Sequence, residues 1–241
     1  MSDVAPQSID HFAQHGYVML QGVFSVPEID SFAQRLSAAL EAHRDTSTLQ
    51  SRGQIYGSRN LLETFPEIAS LMRHPSLRKF STAVLGADAG VVRALYFDKP
   101  PNRSWSLPWH KDRTIAVKRN DLPTELFHKP TAKAGVPHVE APPSVLEKML
   151  TIRIHLDAMT ATNGPLYVIP GSHLGVGEGH EDPVELHAEI GDVLAMRPLL
   201  THSSTASMPG TTSHRRVIHV EAAASAELPD GYDWYSFVPL Q

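Results

Sequence analysis

The sequence predicts an α+β domain, predominantly β: a jelly-roll (double-stranded β-helix) core with N-terminal helices packed on one sheet. Three observations predict it. Helical apolar spacing dominates the first third, to about residue 88. Short apolar runs punctuated by Gly, Pro and Asn-Gly turns fill most of residues 89–241. Helices first and strands afterwards is the order expected of a helix-buttressed barrel. The 241 residues suit one domain of this kind.

The elements follow in order. "SIDHFAQHG" offers Ser8 as a cap and Gly16 as a stop. "YVMLQGVF" reads as a strand. "SVPEIDSFAQRLSAALEAHR" opens on Ser25 as N-cap, with Pro27 in the first turn and Glu28 at the positive end. Ile29, Phe32, Ala33, Leu36 and Leu40 then recur at helical spacing. "FPEIASLMRHPSLRKFSTAVLG" gives two short helices broken before Pro75 and closed by Gly86. "GVVRALYFDKPP" is a strand ending in a proline turn. Residues 119–143, rich in Pro, Lys and His, have no period; a loop or lid over about 113–145 is expected. "VLEKMLTIRIHLDAM" passes from a helical turn into a strand. Asn163-Gly164 signals a hairpin, and Gly191-Asp192 a turn between two further strands, the second ending at His202. "RRVIHVEAAA" is the last clear strand.

Composition narrows the function. With 21 Lys/Arg against 26 Asp/Glu and no basic block, nucleic acid is not an expected partner. No apolar run approaches the ~18 residues of a membrane helix. "MSDVAPQSIDHF" does not read as a secretory signal, so the cytoplasm is the expected location. There is no cysteine, so any metal must sit on His, Asp or Glu. Oligomeric state is not legible.

The chemistry gathers on "LPWHKDRT". Along an extended strand alternate side chains share a face, so His110 and Asp112 point the same way. His202, 90 residues beyond Asp112, supplies a third candidate ligand. Two His and one carboxylate on one face of a metal form the facial triad of non-haem Fe(II) oxygenases. His-x-Asp arises by chance in many chains; what strengthens it is "SHRRVIHVEA", which follows His202 with Arg215 and Arg216. Period two separates them. Arg216, Ile218, Val220 and Ala222 form a face that should pack on the helices. Arg215, Val217, His219 and Glu221 suit a polar interior. Arg215 is therefore the candidate anchor for a cosubstrate carboxylate, with Arg216 as the alternative. His155, His173, His187 and His219 are expected to be hydrogen-bonded or exposed. Trp105 and Trp109 flank the metal strand, lining a pocket or packing in the core.

The segments "YFDKPP", "PWHKD", "TNGPLYVIPGSH", "GDVLAMRPLLTHSS" and "HRRVIHVE" run in order from about residue 90 to 221. In them, and in the "FAQHGYVML" start, the chain resembles the phytanoyl-CoA dioxygenase-like family of Fe(II)/2-oxoglutarate oxygenases. The resemblance implies iron ligands at His110, Asp112 and His202. It implies a 2-oxoglutarate anchor at Arg215 and further cosubstrate contacts at Lys99, Arg153 and Ser204. It implies O₂ as oxidant and release of succinate and CO₂, with hydroxylation or desaturation of a small organic substrate. Halogenating relatives carry a small residue in place of Asp112. The 13-residue gap from His202 to Arg215 is longer than in many relatives. Arg113, Lys118, Arg119, His128, Lys129 and Lys133 could meet an acidic or CoA-like substrate, or be solvated. Two other readings stay open: a non-catalytic jelly-roll binding protein, and a cupin-type metalloenzyme without 2-oxoglutarate.

Overall fold

Apolar spacing and caps set the helices of the first third. In the computed structural model, which describes residues 6–44, 48–51, 53–101, 103–175 and 182–241, α1 spans Pro6–His15 and α2 Val26–Ala42. The first five residues of the stretch read as lacking a secretory signal lie outside the described residues. Ser25 caps α2: its backbone N–H donates to the Glu28 carboxylate at 2.8 Å. Ser8 does not cap α1, because the helix already includes Pro6, a residue suited to a first turn. Short helices α3 (Leu61–Thr64) and α4 (Ile68–Leu71) lead to α5 (Pro75–Leu85), and α6 (Pro143–Leu146) comes later.

The large sheet is antiparallel. Its strands are β1 (Tyr17–Leu20), β2 (Thr48–Ser51), β3 (Gln54–Ser58), β4 (Gly90–Lys99), β9 (Met149–His155), β12 (Val193–Met196) and β14 (Arg215–Ala223). Their order is β1-β12-β9-β14-β4-β3-β2, and β15 (Val238–Pro239) also pairs with β4. A four-stranded sheet, ordered β11-β10-β13-β5, is built from β5 (Leu107–His110), β10 (Leu166–Val168), β11 (Val184–Leu186) and β13 (His202–Ser204). The two sheets make the double-stranded β-helix. A three-stranded flank, β6-β8-β7, comprises β6 (Thr114–Ala116), β7 (His128–Lys133) and β8 (Val136–Glu140).

Strand β14 divides as period two requires. Ile218, Val220 and Ala222 share a buried cluster with Phe12, Ile29, Phe32, Leu36, Leu77 and Phe80 of the helices. Each large apolar side chain buried there contributes about 1.5–3 kcal/mol. The opposite face of β14 looks into the barrel. No helix among the described residues is long and apolar enough to cross a membrane.

Four further expectations are corrected. The first third also supplies the β2–β3 hairpin, whose polar "TLQS" and "QIYGS" carry no apolar period. Residues 113–145 are not a structureless lid: Ile115, Val117, Phe127 and Val139 pack with Leu146, Tyr232 and Trp234 in a core of their own. Asn163-Gly164 closes no hairpin. It carries the chain from β9 in one sheet to β10 in the other, with the Asn163 amide donating to Ala158 O at 2.8 Å. His202 opens β13 rather than ending the strand after Gly191-Asp192.

Candidate metal centre and the cavity beside it

His110 ends β5 and His202 begins β13, and the two are direct partners in the ladder. Their rings lie 4.2 Å apart, centroid to centroid. Asp112 stands two residues past β5, where its N–H donates to Pro198 O at 2.8 Å. It reaches His110 Nε2 at 3.8 Å and His202 Nε2 at 3.6 Å. One ligand atom from each of the three lies within 4.8 Å of the others.

Both imidazoles are oriented by main chain. Nδ1 of His110 is 2.7 Å from Pro108 O, and Nδ1 of His202 is 2.9 Å from Leu200 O. A carbonyl only accepts, so each Nδ1 carries a proton, and each Nε2 is the nitrogen turned to the centre. Burial pushes His202 down to about 4, against the pull of Asp112, so its ring is neutral at physiological pH as a metal requires. Asp112 Oδ2 is buried with no hydrogen-bond partner. Two imidazoles turned inward and an under-partnered carboxylate fit a divalent cation with nitrogen and oxygen preference.

The triad opens on a cavity of about 490 Å³, which Lys99, Arg153, Ser204 and Arg215 also line. Arg215 is buried. Its Nη1 meets Met159 Sδ at 3.7 Å, and its Nε has no partner. Burial, then Arg153, pushes it down to about 9, and it stays cationic at neutral pH. Arg216 points the other way, into a bidentate pair with Asp157 at 2.7–2.8 Å. Lys99 donates to Ser204 Oγ at 3.0 Å and to Thr205 O at 2.7 Å. Burial, with Arg215 and Arg153 nearby, brings it down to about 7. Arg153 is buried beside Asp112 and makes no ion pair with a described residue.

Other expectations divide. Trp105 lines the cavity, whereas Trp109 is exposed and does not. His187 and His173 are hydrogen-bonded, to Glu185 and to Ala13 O. His219 departs from expectation: it is buried, lining the cavity, with Nε2 3.4 Å from Glu221 and no hydrogen bond at either ring nitrogen. His155 departs from expectation: it is fully buried, and neither ring nitrogen has a partner. It faces the same interior as Arg153, where no carbonyl or carboxylate reaches it. Lys118, Arg119 and Lys129 pair with Asp233, Asp121 and Glu140 away from the cavity, which His128 does not line either. Arg113 and Lys133 do line it. Sequence reasoning missed Arg59, Arg93 and Tyr56, which also line it. For Arg93 the signal was present, since 93, 95, 97 and 99 alternate onto the face of Lys99.

The model of the phytanoyl-CoA dioxygenase (PhyH) family matches residues 12–217. The chain belongs to that family. Among characterised relatives, an ectoine dioxygenase of Sphingopyxis alaskensis is 27% identical over 168 residues, 67% of this chain and 47% of that protein. An L-proline trans-4-hydroxylase of Streptomyces griseoviridis is 26% identical over 174 residues, 71% of this chain and 57% of that protein. This PhyH-family chain thus spans about half the length of these relatives. Solved structures share its fold. EctD from S. alaskensis, crystallised with 2-oxoglutarate and 5-hydroxyectoine, superposes with a TM-score of 0.70 at 18% identity, covering 92% of this chain and 77% of that one. SnoK, a non-heme alpha-ketoglutarate-dependent carbocyclase from nogalamycin biosynthesis, gives 0.68 at 19%, covering 95% and 89%.

Proposed function

We propose that this chain is a non-haem Fe(II)/2-oxoglutarate-dependent dioxygenase that hydroxylates or desaturates a small organic molecule. The observation that carries the reading is one cavity holding both the His110–Asp112–His202 cluster and the buried, unpaired guanidinium of Arg215. In this reading His110, Asp112 and His202 hold the iron. Arg215 takes the far carboxylate of 2-oxoglutarate, where a planar guanidinium suits bidentate binding. Arg153 adds charge to the same end. Lys99 holds Ser204 in place and shares its charge with the cosubstrate. When bound, iron with 2-oxoglutarate and O₂ would supply the oxidising chemistry: one oxygen atom would go into succinate as CO₂ leaves, and the other into the substrate as hydroxyl, or into water where two hydrogens are removed. The protein's part is to supply ligands, orientation and exclusion of water.

A single oxygenase domain over residues 1–241 and a cytoplasmic location belong to the same proposal. Family membership and the relatives' named activities support the oxygenase reading. The test is anaerobic titration with Fe(II) and 2-oxoglutarate. A weak visible charge-transfer band that needs both, followed by succinate release under O₂ with a substrate panel, is expected. No band at saturating concentrations overturns the reading. Binding of Fe(II) with turnover independent of 2-oxoglutarate and tolerant of Arg215→Ala would replace it with a cupin-type activity.

A further inference from the structure

The interior is strongly cationic. Eight Lys/Arg side chains line the cavity, against two carboxylates, Asp112 and Glu221. Iron and 2-oxoglutarate would cancel each other's charge and leave that surplus in place. Some of it is already engaged. Lys111 donates to Ser172 O, Arg113 approaches Glu140, and Arg93 pairs with Glu221 at 3.0 Å. Arg59 and Lys133 are different: neither makes an ion pair or side-chain hydrogen bond with a described residue. Both sit near Glu221, whose carboxylate is taken by Arg93 and approached by His219 at 3.4 Å.

The fold brings these two cations together from distant parts of the chain. Arg59 follows β3. Lys133 ends β7 at a two-residue turn, Ala134-Gly135, with both φ positive at 49° and 78°, as a type I′ hairpin needs. Asn60 Nδ2 donates to Ala134 O at 3.2 Å, fastening the hairpin tip beside Arg59. Burial lowers Lys133, and Arg93 and Arg59 lower it further; burial and Arg93 lower Arg59. Clustered, desolvated, unpaired cations cost free energy that a bound anion would relieve.

Position completes the case. Arg215 and Glu221 are six residues apart on one strand, roughly 20 Å at about 3.3 Å per residue. Asp112 falls within the fields of both Arg153 and Lys133, so the metal cluster lies within reach of both groups of cations. We infer that the substrate is a small molecule bearing a carboxylate or phosphate, bound by Arg59 and Lys133 at the end of the cavity remote from Arg215. This deepens the oxygenase reading and rests on it for the word substrate. The volume of about 490 Å³ is shared with the cosubstrate, which keeps the substrate small.

The test uses protein loaded anaerobically with Fe(II) and saturating 2-oxoglutarate, the visible band reporting loading. Hexanoate, hexyl phosphate and hexan-1-ol are titrated by calorimetry. An anionic probe should bind at least about tenfold more tightly than the alcohol, and Arg59→Ala or Lys133→Ala should remove about tenfold of that preference. Arg119→Ala, on the exposed flank, should leave it intact. Whichever anion binds more tightly identifies the head group. Affinities for both anions no greater than for the alcohol, or a preference that survives in both cavity variants, overturn the inference. A missing band sinks the oxygenase reading alone; the probe titration still decides the anion site.

Discussion

His110 and His202 face each other across the β5–β13 ladder, each with Nδ1 against the carbonyl two residues before it. The backbone thereby fixes both tautomers, and Asp112 closes the triangle from beyond the strand end. Asp112→Ala should therefore abolish substrate-triggered succinate formation and lower Fe(II) affinity by more than the ~10–100-fold that loss of a supporting contact costs. Undiminished turnover in that variant would refute the ligand assignment.

Adjacent arginines on β14 should behave oppositely. Arg215→Ala removes a charge facing the cavity and should weaken 2-oxoglutarate binding about 10- to 100-fold, the worth of charge-assisted hydrogen bonds. Arg216→Ala breaks the pair with Asp157 and should lower thermal stability with little effect on that affinity. Titration of both variants by the visible band decides; equal losses would mean that the two faces are not separated as described.

Gly164 adopts φ +80°, and a Cβ there would lie 2.6 Å from Thr205 O and 3.3 Å from Lys99 Nζ. Gly164→Ala should cost on the order of 1–3 kcal/mol in backbone strain. It should also loosen the Lys99 contacts, raising the KM for 2-oxoglutarate. Calorimetric melting and cosubstrate kinetics check the two effects separately.

Burial, with Arg153 and Arg215 nearby, holds His155 down to about 3, from an ordinary value of 6.5. The folded protein keeps this ring neutral while the unfolded chain protonates it below 6.5. Its contribution is thus full above pH 6.5 and declines as pH falls toward 3. Burial lowers His138 to about 4, in the same direction. Melting temperature should fall from pH 6.5 to 4. His155→Leu should flatten that slope and, by removing two unpartnered nitrogens, add about 1–3 kcal/mol. A variant less stable than the parent at pH 5 would show that the ring has a partner.

Much of the site was legible because its signals are local or periodic. His110 and Asp112 share a short motif, and alternation along 215–222 favours Arg215 while leaving Arg216 open; in the structure Arg215 lines the cavity and Arg216 pairs with Asp157. The barrel's inventory was harder where stability comes from tertiary contact. The β2–β3 hairpin and the β6–β8–β7 flank have polar or proline-rich strands, held by edge pairing and by the core under Phe127 and Trp234. Asn163-Gly164 marked a turn correctly, but a turn signal does not say which sheet the next strand joins. Arg59 and Lys133, 74 residues apart in sequence, are brought together by tertiary contacts such as the Asn60–Ala134 hydrogen bond, which carry no local signal.

Because β14 keeps its oily side chains on one surface and its polar ones on the other, the two sets are open to separate redesign. His219, which lines the cavity, can be varied to reshape what the barrel accepts without disturbing the helix-packed keel of Ile218 and Val220. Inserting one residue within the strand would exchange the two surfaces at a stroke. A library aimed at new chemistry should therefore randomise alternate positions there and leave the strand's length untouched.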